Sequence, residues 1–270
     1  MPEYNAELVG RTDVTPQLAI LQVKPDAGVP EFAPGQYMVL GLRSDAPRLP
    51  ECPPAEETPS SPVSGKLLQR AYSISSGSRQ RDFLEFYVSL VTNGELTPRL
   101  FALRPGDRLF VGARAKGLFT LDAVPGAANV LMVATGTGLA PYISMLRTSI
   151  LEDNGRKVAV LHGASYSWDL GYRGELEALS RARANFTYLP VISRPESDKD
   201  WRGRTGRLPT WLETPDLAQA CGFPLEASAT HVFLCGNPGM IQQAEAILTA
   251  RGFSPDERGT TGTLHREKYW

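Results

Sequence analysis

Five short segments combine residue types suited to phosphates, flat rings and thiol chemistry. An apolar run at 130–134 leads into Thr135-Gly136-Thr137-Gly138-Leu139-Ala140-Pro141. This glycine turn opens a helix, whose free N–H groups and positive dipole end favour a phosphate. Pro141 stands where the usual dinucleotide fingerprint has a third glycine, so an ordinary tight strand-to-helix turn fits the same residues. Cys235-Gly236-Asn237-Pro238-Gly239-Met240 again follows an apolar strand and again opens a helix. Two such turns would line one edge of a sheet, the edge where open α/β sheets take their ligands. Taken alone, a single cysteine such as Cys235 is more often a small buried apolar residue. Ser193-Arg194 also follows an apolar run, and Trp201-Arg202-Gly203-Arg204-Thr205-Gly206-Arg207 adds three more guanidinium groups. Arginine forks suit the 2'-phosphate that distinguishes NADP from NAD. Glu196, Asp198 and Asp200 nearly balance them, so a solvated charged loop is the competing reading. Finally, Arg70-Ala71-Tyr72-Ser73 offers a cation, a stacking ring and a hydroxyl within four residues. On an extended strand Arg70 and Tyr72 share one face and Ser73 points to the other unless the strand bends, and a tyrosine and a serine on a barrel strand are more often structural.

Positioning these groups requires two kinds of element. From residue 5 to about 121, short β-branched, aromatic or alternating runs (18–23, 36–42, 83–91, 108–112) are punctuated by glycine and proline, which predicts an antiparallel barrel or sandwich. One helix is expected there, at 96–100, with Thr97 as cap and Pro98 in the first turn. The proline-rich stretch 44–69 reads as a surface excursion. Beyond Pro125-Gly126, apolar runs at 130–134, 158–162, 186–192 and 232–235 alternate with helical stretches at 139–151, 174–184 and 238–251. Asn237 caps the last of these. That pattern predicts a parallel sheet covered by helices. The fold expected is a β-barrel over 1–124 followed by an α/β domain over 125–270.

Composition narrows the function. With 28 basic and 29 acidic residues the net charge is −1 at pH 7, so no global field draws the chain to nucleic acid or anionic lipid. No apolar run approaches the ~20 residues that span a bilayer, and residues 1–11 lack the core of a signal peptide. A soluble cytoplasmic monomer is expected. Cys52, Cys221 and Cys235 are too few and too scattered for a disulfide framework, a zinc site or an iron–sulfur cluster, so redox chemistry here would need an organic cofactor. His162 and His231 lie on or beside apolar runs and read as structural; His265 reads as exposed.

In this order, Arg70-Ala71-Tyr72-Ser73, the segment 93–100, the segment 134–141, Cys235-Gly236-Asn237-Pro238 and the terminal Glu267-Lys268-Tyr269-Trp270 resemble the bacterial ferredoxin–NADP reductases, in particular the subgroup ending in Tyr-Trp. The resemblance covers almost the whole chain. It implies a six-stranded FAD-binding antiparallel barrel followed by a parallel-sheet NADP-binding domain. It assigns Arg70 and the adjoining Ala71 to the FAD pyrophosphate region, Tyr72 to stacking on the isoalloxazine and Ser73 to the neighbourhood of flavin N5. Tyr87, Val88, Glu95, Leu96 and Thr97 hold the rest of the FAD, and Thr137 lies near both cofactors. Thr135 and Gly136 border the nicotinamide half of NADP, Ser193, Arg194 and Arg207 its 2'-phosphate, and Cys235 with Gly236 the nicotinamide. Tyr269 covers the flavin face that nicotinamide must reach, and Trp270 meets the adenine of a folded-back FAD. Ser73, Cys235 and Tyr269 are the catalytic candidates. Ser165 stands where some relatives carry an arginine for the nucleotide.

The activity so implied converts the electron pair of a hydride from NADPH into single electrons for ferredoxin or flavodoxin. These carriers are acidic, and Arg79, Arg81, Arg99, Arg104, Arg108, Arg114 and Lys116 could dock them, although solvated basic side chains are the commoner outcome. Competing readings are the reductase component of an oxygenase or cytochrome system and a non-catalytic flavin or nucleotide sensor.

Overall fold

The computed structural model describes residues 4–53, 65–148, 155–257 and 260–268. It resolves into two compact units, one formed by 1–120 with 140–148 and the other by 121–139 with 149–270.

The first unit is built on six antiparallel strands: β1 (Ala6–Thr15), β2 (Leu18–Pro25), β3 (Tyr37–Arg43), β4 (Leu67–Ser73), β5 (Leu84–Ser89) and β6 (Arg108–Val111), in the order β4-β3-β6-β1-β2-β5. Alternating Ala6, Leu8, Leu21, Val23, Met38, Leu40, Phe86 and Val88 fill one buried core. The two edge strands meet at a seam just beyond β4. Ile74 bridges Phe86, and the Ser75 N–H donates to Glu85 O at 2.8 Å. The seam ties the two edge strands together at one end, as closure of a barrel requires. A single-turn helix, α1 (Thr97–Leu100), follows β5.

Thr97 is not its cap. Leu96 takes that position without a side-chain bond, and the Thr97 hydroxyl turns back to the chain after β5, accepting from Val91 N (2.9 Å) and donating to Val91 O (3.1 Å). The helix expected from residue 139 begins as a 3-10 turn, Gly136–Leu139, and continues as α2 (Ala140–Thr148). Residues 149–151 of that expectation, and 54–64 of the proline-rich stretch, lie outside the described residues.

The second unit contains β7 (Asn129–Thr135), β8 (Val158–Ala164), α3 (Arg173–Ala182), β9 (Phe186–Ile192), β10 (Arg204–Thr205), α4 (Leu208–Glu213), α5 (Asp216–Cys221), β11 (Thr230–Gly236), α6 (Pro238–Ala250) and β12 (Leu264–Lys268). Its sheet is parallel throughout, ordered β10-β9-β8-β7-β11-β12. One face carries Leu131, Val133, Leu161, Leu189, Val191 and Leu234 against Leu208, Leu212, Leu217, Ile241 and Leu248 of α4, α5 and α6. Asn237 caps α6 as expected, its Oδ1 accepting from Met240 N at 3.1 Å.

His265 is buried, contrary to its expected exposure. Its Nε2 lies 2.9 Å from His231 Nδ1, its Nδ1 2.7 Å from the Asp256 carboxylate, and its ring stacks on Phe233. Partners from β11 and from the segment around Asp256 compensate the lost hydration. Two of the seven cations offered as a docking patch are also committed. Arg99 is buried, donating to Glu95 O and Ser44 O, and Arg108 pairs with Asp26.

Candidate functional site

In the first unit the candidate residues gather around the seam. Edge strand β4 leaves Arg70 and Ala71 exposed, while Tyr72 packs partly against the core, and its burial pushes the phenol above its ordinary range. Ser73 is buried at the last rung, opposite Tyr37. The chain then crosses to β5, where Tyr87 and Val88 are buried one and two residues past the bridging Phe86. The Thr97 bonds to Val91 bring Glu95, Leu96 and Thr97 back beside the end of β5. Arg99 reaches the Glu95 carboxylate at 3.3 Å and fixes that turn. A cation, a small exposed residue and an aromatic in succession on a strand edge are what a pyrophosphate joined to a flat ring system requires, and the residues fit FAD.

The seam has a support the motifs did not reveal. Glu85, buried on β5, takes Arg147 of α2 at 2.6 Å, the Ser75 hydroxyl at 3.3 Å and Gln22 Nε2 at 3.4 Å. Arg147 also donates to Ser75 O at 3.2 Å. Nothing local signals this pairing, because its partners are 62 residues apart.

In the second unit the strand order supplies the site. From β7 the chain proceeds outward to β8 and β9 on one side, and β11 and β12 lie on the other, so the order reverses between β7 and β11. A crevice opens at the carboxyl ends of strands at such a switch point. Both glycine turns arrive there. A Cβ on Gly138 would lie 2.4 Å from Cys235 O, and one on Gly236 2.4 Å from Thr135 Oγ1, so the turns touch through atoms only glycine leaves room for. The Thr135 hydroxyl accepts from Asn237 N at 2.8 Å and locks them together. Gly136, at φ +54°, has nothing within 4 Å of its open side, and Thr135 and Thr137 flank it partly exposed. Cys235 is wholly buried, its Sγ 4.0 Å from Glu267 of β12.

Ser193 and Arg194 follow β9 and are exposed; so is Arg207, the residue before α4. Rung Thr205↔Ile192 pairs β10 with β9, and Gly206 N donates to Ile192 O, so Arg194 and Arg207 each emerge two residues past the same rung. Arg204 instead lies over the Trp211 ring, 5.9 Å from its centroid. With β8 between β9 and β7, Arg194 stands two strands from Thr135, roughly 10 Å along the edge, and Arg207, after β10, stands three. A packed turn with an open glycine at one end and a pair of exposed guanidinium groups at the other fits a phosphorylated dinucleotide. Tyr269 and Trp270 lie outside the described residues. Among the described residues no cluster of His, Cys, Asp and Glu could hold a metal, and no helix is long and apolar enough to cross a membrane.

Comparison with known proteins agrees with this architecture. Residues 132–246 match the oxidoreductase NAD-binding domain family. The crystal structure of a ferredoxin NADP+ reductase from Neisseria gonorrhoeae with bound FAD and NADP superposes over the whole of both chains with a TM-score of 0.82 at 24% identity, a likeness of fold. The flavodoxin/ferredoxin–NADP reductase of Escherichia coli (strain K12) is 34% identical over 228 residues, 84% of this chain and 83% of that one. That of Buchnera aphidicola subsp. Baizongia pistaciae is 30% identical over 253 residues, 93% of each. Identity of this extent across both units, joined to a switch point built from two interlocked glycine turns, means that the chain belongs to the flavodoxin/ferredoxin–NADP reductase family.

Proposed function

We propose that this chain is an FAD-dependent oxidoreductase that exchanges a hydride with NADP(H) and single electrons with ferredoxin or flavodoxin. The observation that carries the reading is the β7/β11 switch point, where Gly138 and Gly236 are closed by backbone and Gly136 stands open. When bound, FAD supplies both two-electron acceptance from nicotinamide and one-electron release.

The residues of the chain hold and select. Arg70 would neutralise the pyrophosphate, Ala71 would let it approach the backbone, and Tyr72 would offer its ring to the isoalloxazine. The buried Ser73 hydroxyl, next to the seam, would be the hydrogen-bonding group nearest the reacting end. Tyr87, Val88, Glu95, Leu96 and Thr97 would complete the wall. On the nucleotide side, Thr135, Gly136 and Thr137 would meet the pyrophosphate and the nicotinamide half. Arg194 and Arg207 would grip the 2'-phosphate with Ser193, and Cys235 with Gly236 would pack beside the nicotinamide. The Cys235 thiol lies in a water-excluded position, which suits a group that orients a ring. Arg79, Arg81, Arg104, Arg114 and Lys116 are exposed and present positive charge to an acidic carrier. Tyr269 and Trp270 keep the covering role that the family resemblance implies.

Stopped-flow reduction of the purified protein by NADPH and NADH, followed by mixing with purified ferredoxin or flavodoxin, tests the proposal. A yellow protein that NADPH reduces and either carrier reoxidises is expected. A folded sample that takes up no FAD ends the reading, and one reoxidised only by a cytochrome or an oxygenase component reassigns the partner.

A further inference from the structure

Arg194 does not stand alone at the carboxyl end of β9. Its backbone N–H donates to Ser165 O at 3.1 Å and that of Ser193 to Ala164 O at 3.0 Å, so the loop after β8 runs alongside it. The Arg194 Nη1 donates to the Tyr166 hydroxyl at 3.4 Å, and its guanidinium lies 5.8 Å from the Tyr166 ring centroid. Tyr166 in turn stacks on Trp168, with centroids 4.7 Å apart and planes 15° from parallel. Between the two rings, Ser167 N donates to the carboxylate of buried Asp198 at 2.6 Å. Asp198 N returns to Pro195 O at 3.1 Å, and Ser197 N to Arg194 O at 3.3 Å. The two loops are therefore interlocked through Arg194 and Asp198.

Trp168 is 51% exposed. An indole left half in water forgoes much of the transfer free energy that normally places such a side chain in a core. At this position it stacks on the ring that Arg194 bonds to. Ser165 brings no charge of its own, so recognition of a phosphate at this corner falls on Arg194 and Arg207. A free arginine loses rotamer entropy on gripping an anion, and pre-ordering it removes part of that cost.

We infer that Tyr166 and Trp168 are positioning residues that pre-order the Arg194 guanidinium for a ribose 2'-phosphate and thereby set the preference for NADPH over NADH. The inference rests on the reading of Arg194 as a 2'-phosphate ligand. It assigns specificity to an aromatic pair that makes no bond to the phosphate itself.

The test is the ratio of dissociation constants for 5'-AMP and 2'-phospho-AMP, measured by calorimetry on the FAD-loaded full chain. Trp168→Ala and Tyr166→Phe should each reduce the preference for 2'-phospho-AMP by about three- to tenfold, while Trp168→Phe, which keeps a stacking ring, should retain most of it. A purely structural role would weaken both nucleotides equally. A ratio unchanged in Trp168→Ala and Tyr166→Phe but collapsed in Arg194→Ala overturns the inference and leaves the phosphate reading standing. A ratio unchanged in Arg194→Ala removes the reading beneath it.

Discussion

Gly138 and Gly236 allow two turns from distant parts of the chain to occupy the same few ångströms. A methyl group on Gly138 would meet the carbonyl of Cys235, which is backbone and cannot swing aside. Gly138→Ala should therefore destabilise the protein by about 1–3 kcal/mol and weaken NADP binding. Gly126→Ala, with nothing within 4 Å of the added carbon, should be nearly neutral in the same thermal melt. His162 makes a second prediction. It is wholly buried on β8, with the Tyr188 hydroxyl 3.0 Å from Nδ1, and burial pushes its pKa from 6.5 down to about 3. The folded protein thus keeps this ring neutral where the unfolded chain protonates it. Its contribution is full above pH 6.5 and is lost at about 1.4 kcal/mol per pH unit as the pH falls from there toward 3. Urea unfolding at pH 7.5 and pH 5.5 should show that slope reduced in His162→Phe; equal slopes in the two proteins would count against the assignment.

β12 shows how little of an edge strand is visible from its own residues. Leu264-His265-Arg266-Glu267-Lys268 is polar and carries no strand-like alternation, yet it pairs along its length with β11, from Val232↔Leu264 to Gly236↔Lys268. Its inward side is satisfied by the chain Asp256–His265–His231 and by the ring of Phe233. Asp256→Asn removes the charge that orients His265. Amide hydrogens of 264–268 should then exchange about ten- to a hundredfold faster, with those of β7 and β8 unchanged, by mass spectrometry of the exchanged protein. α4 and α5 escaped notice for another reason. Six residues each make fewer than two turns, too short for a period of 3.6 to declare itself. β7, β8, β9 and β11 were legible because both faces of each are covered, so their apolar runs are continuous.

For the molecule as an electron carrier's partner, charge supplies the test. Exposed Arg79, Arg81, Arg104, Arg114 and Lys116 would act on an acidic carrier through solvent, so ferredoxin or flavodoxin reduction should slow as salt rises from about 0.01 to 0.5 M. NADPH oxidation by a small neutral acceptor should be insensitive over the same range, and parallel losses in both assays would discard electrostatic docking. Removal of Tyr269 and Trp270 should raise the use of NADH relative to NADPH, read as the ratio of kcat/KM values. An unchanged ratio denies the tail a part in nucleotide choice.

The glycine turns, the Asn237 cap and the buried parallel strands were all readable in advance, because each follows from steric and hydrogen-bonding rules acting over a few neighbouring residues, whereas the role of Arg70–Ser73 came only with the family resemblance. The reversal of strand order between β7 and β11, the seam that closes the barrel, and the pairs Glu85–Arg147, His231–His265 and Ser167–Asp198 were not. Apart from the seam, whose partners are close in sequence, these join positions tens of residues apart, and any one of many similar side chains could have filled each role. Which of them meet is settled by collective packing of the apolar faces, where strand register and helix placement are chosen together.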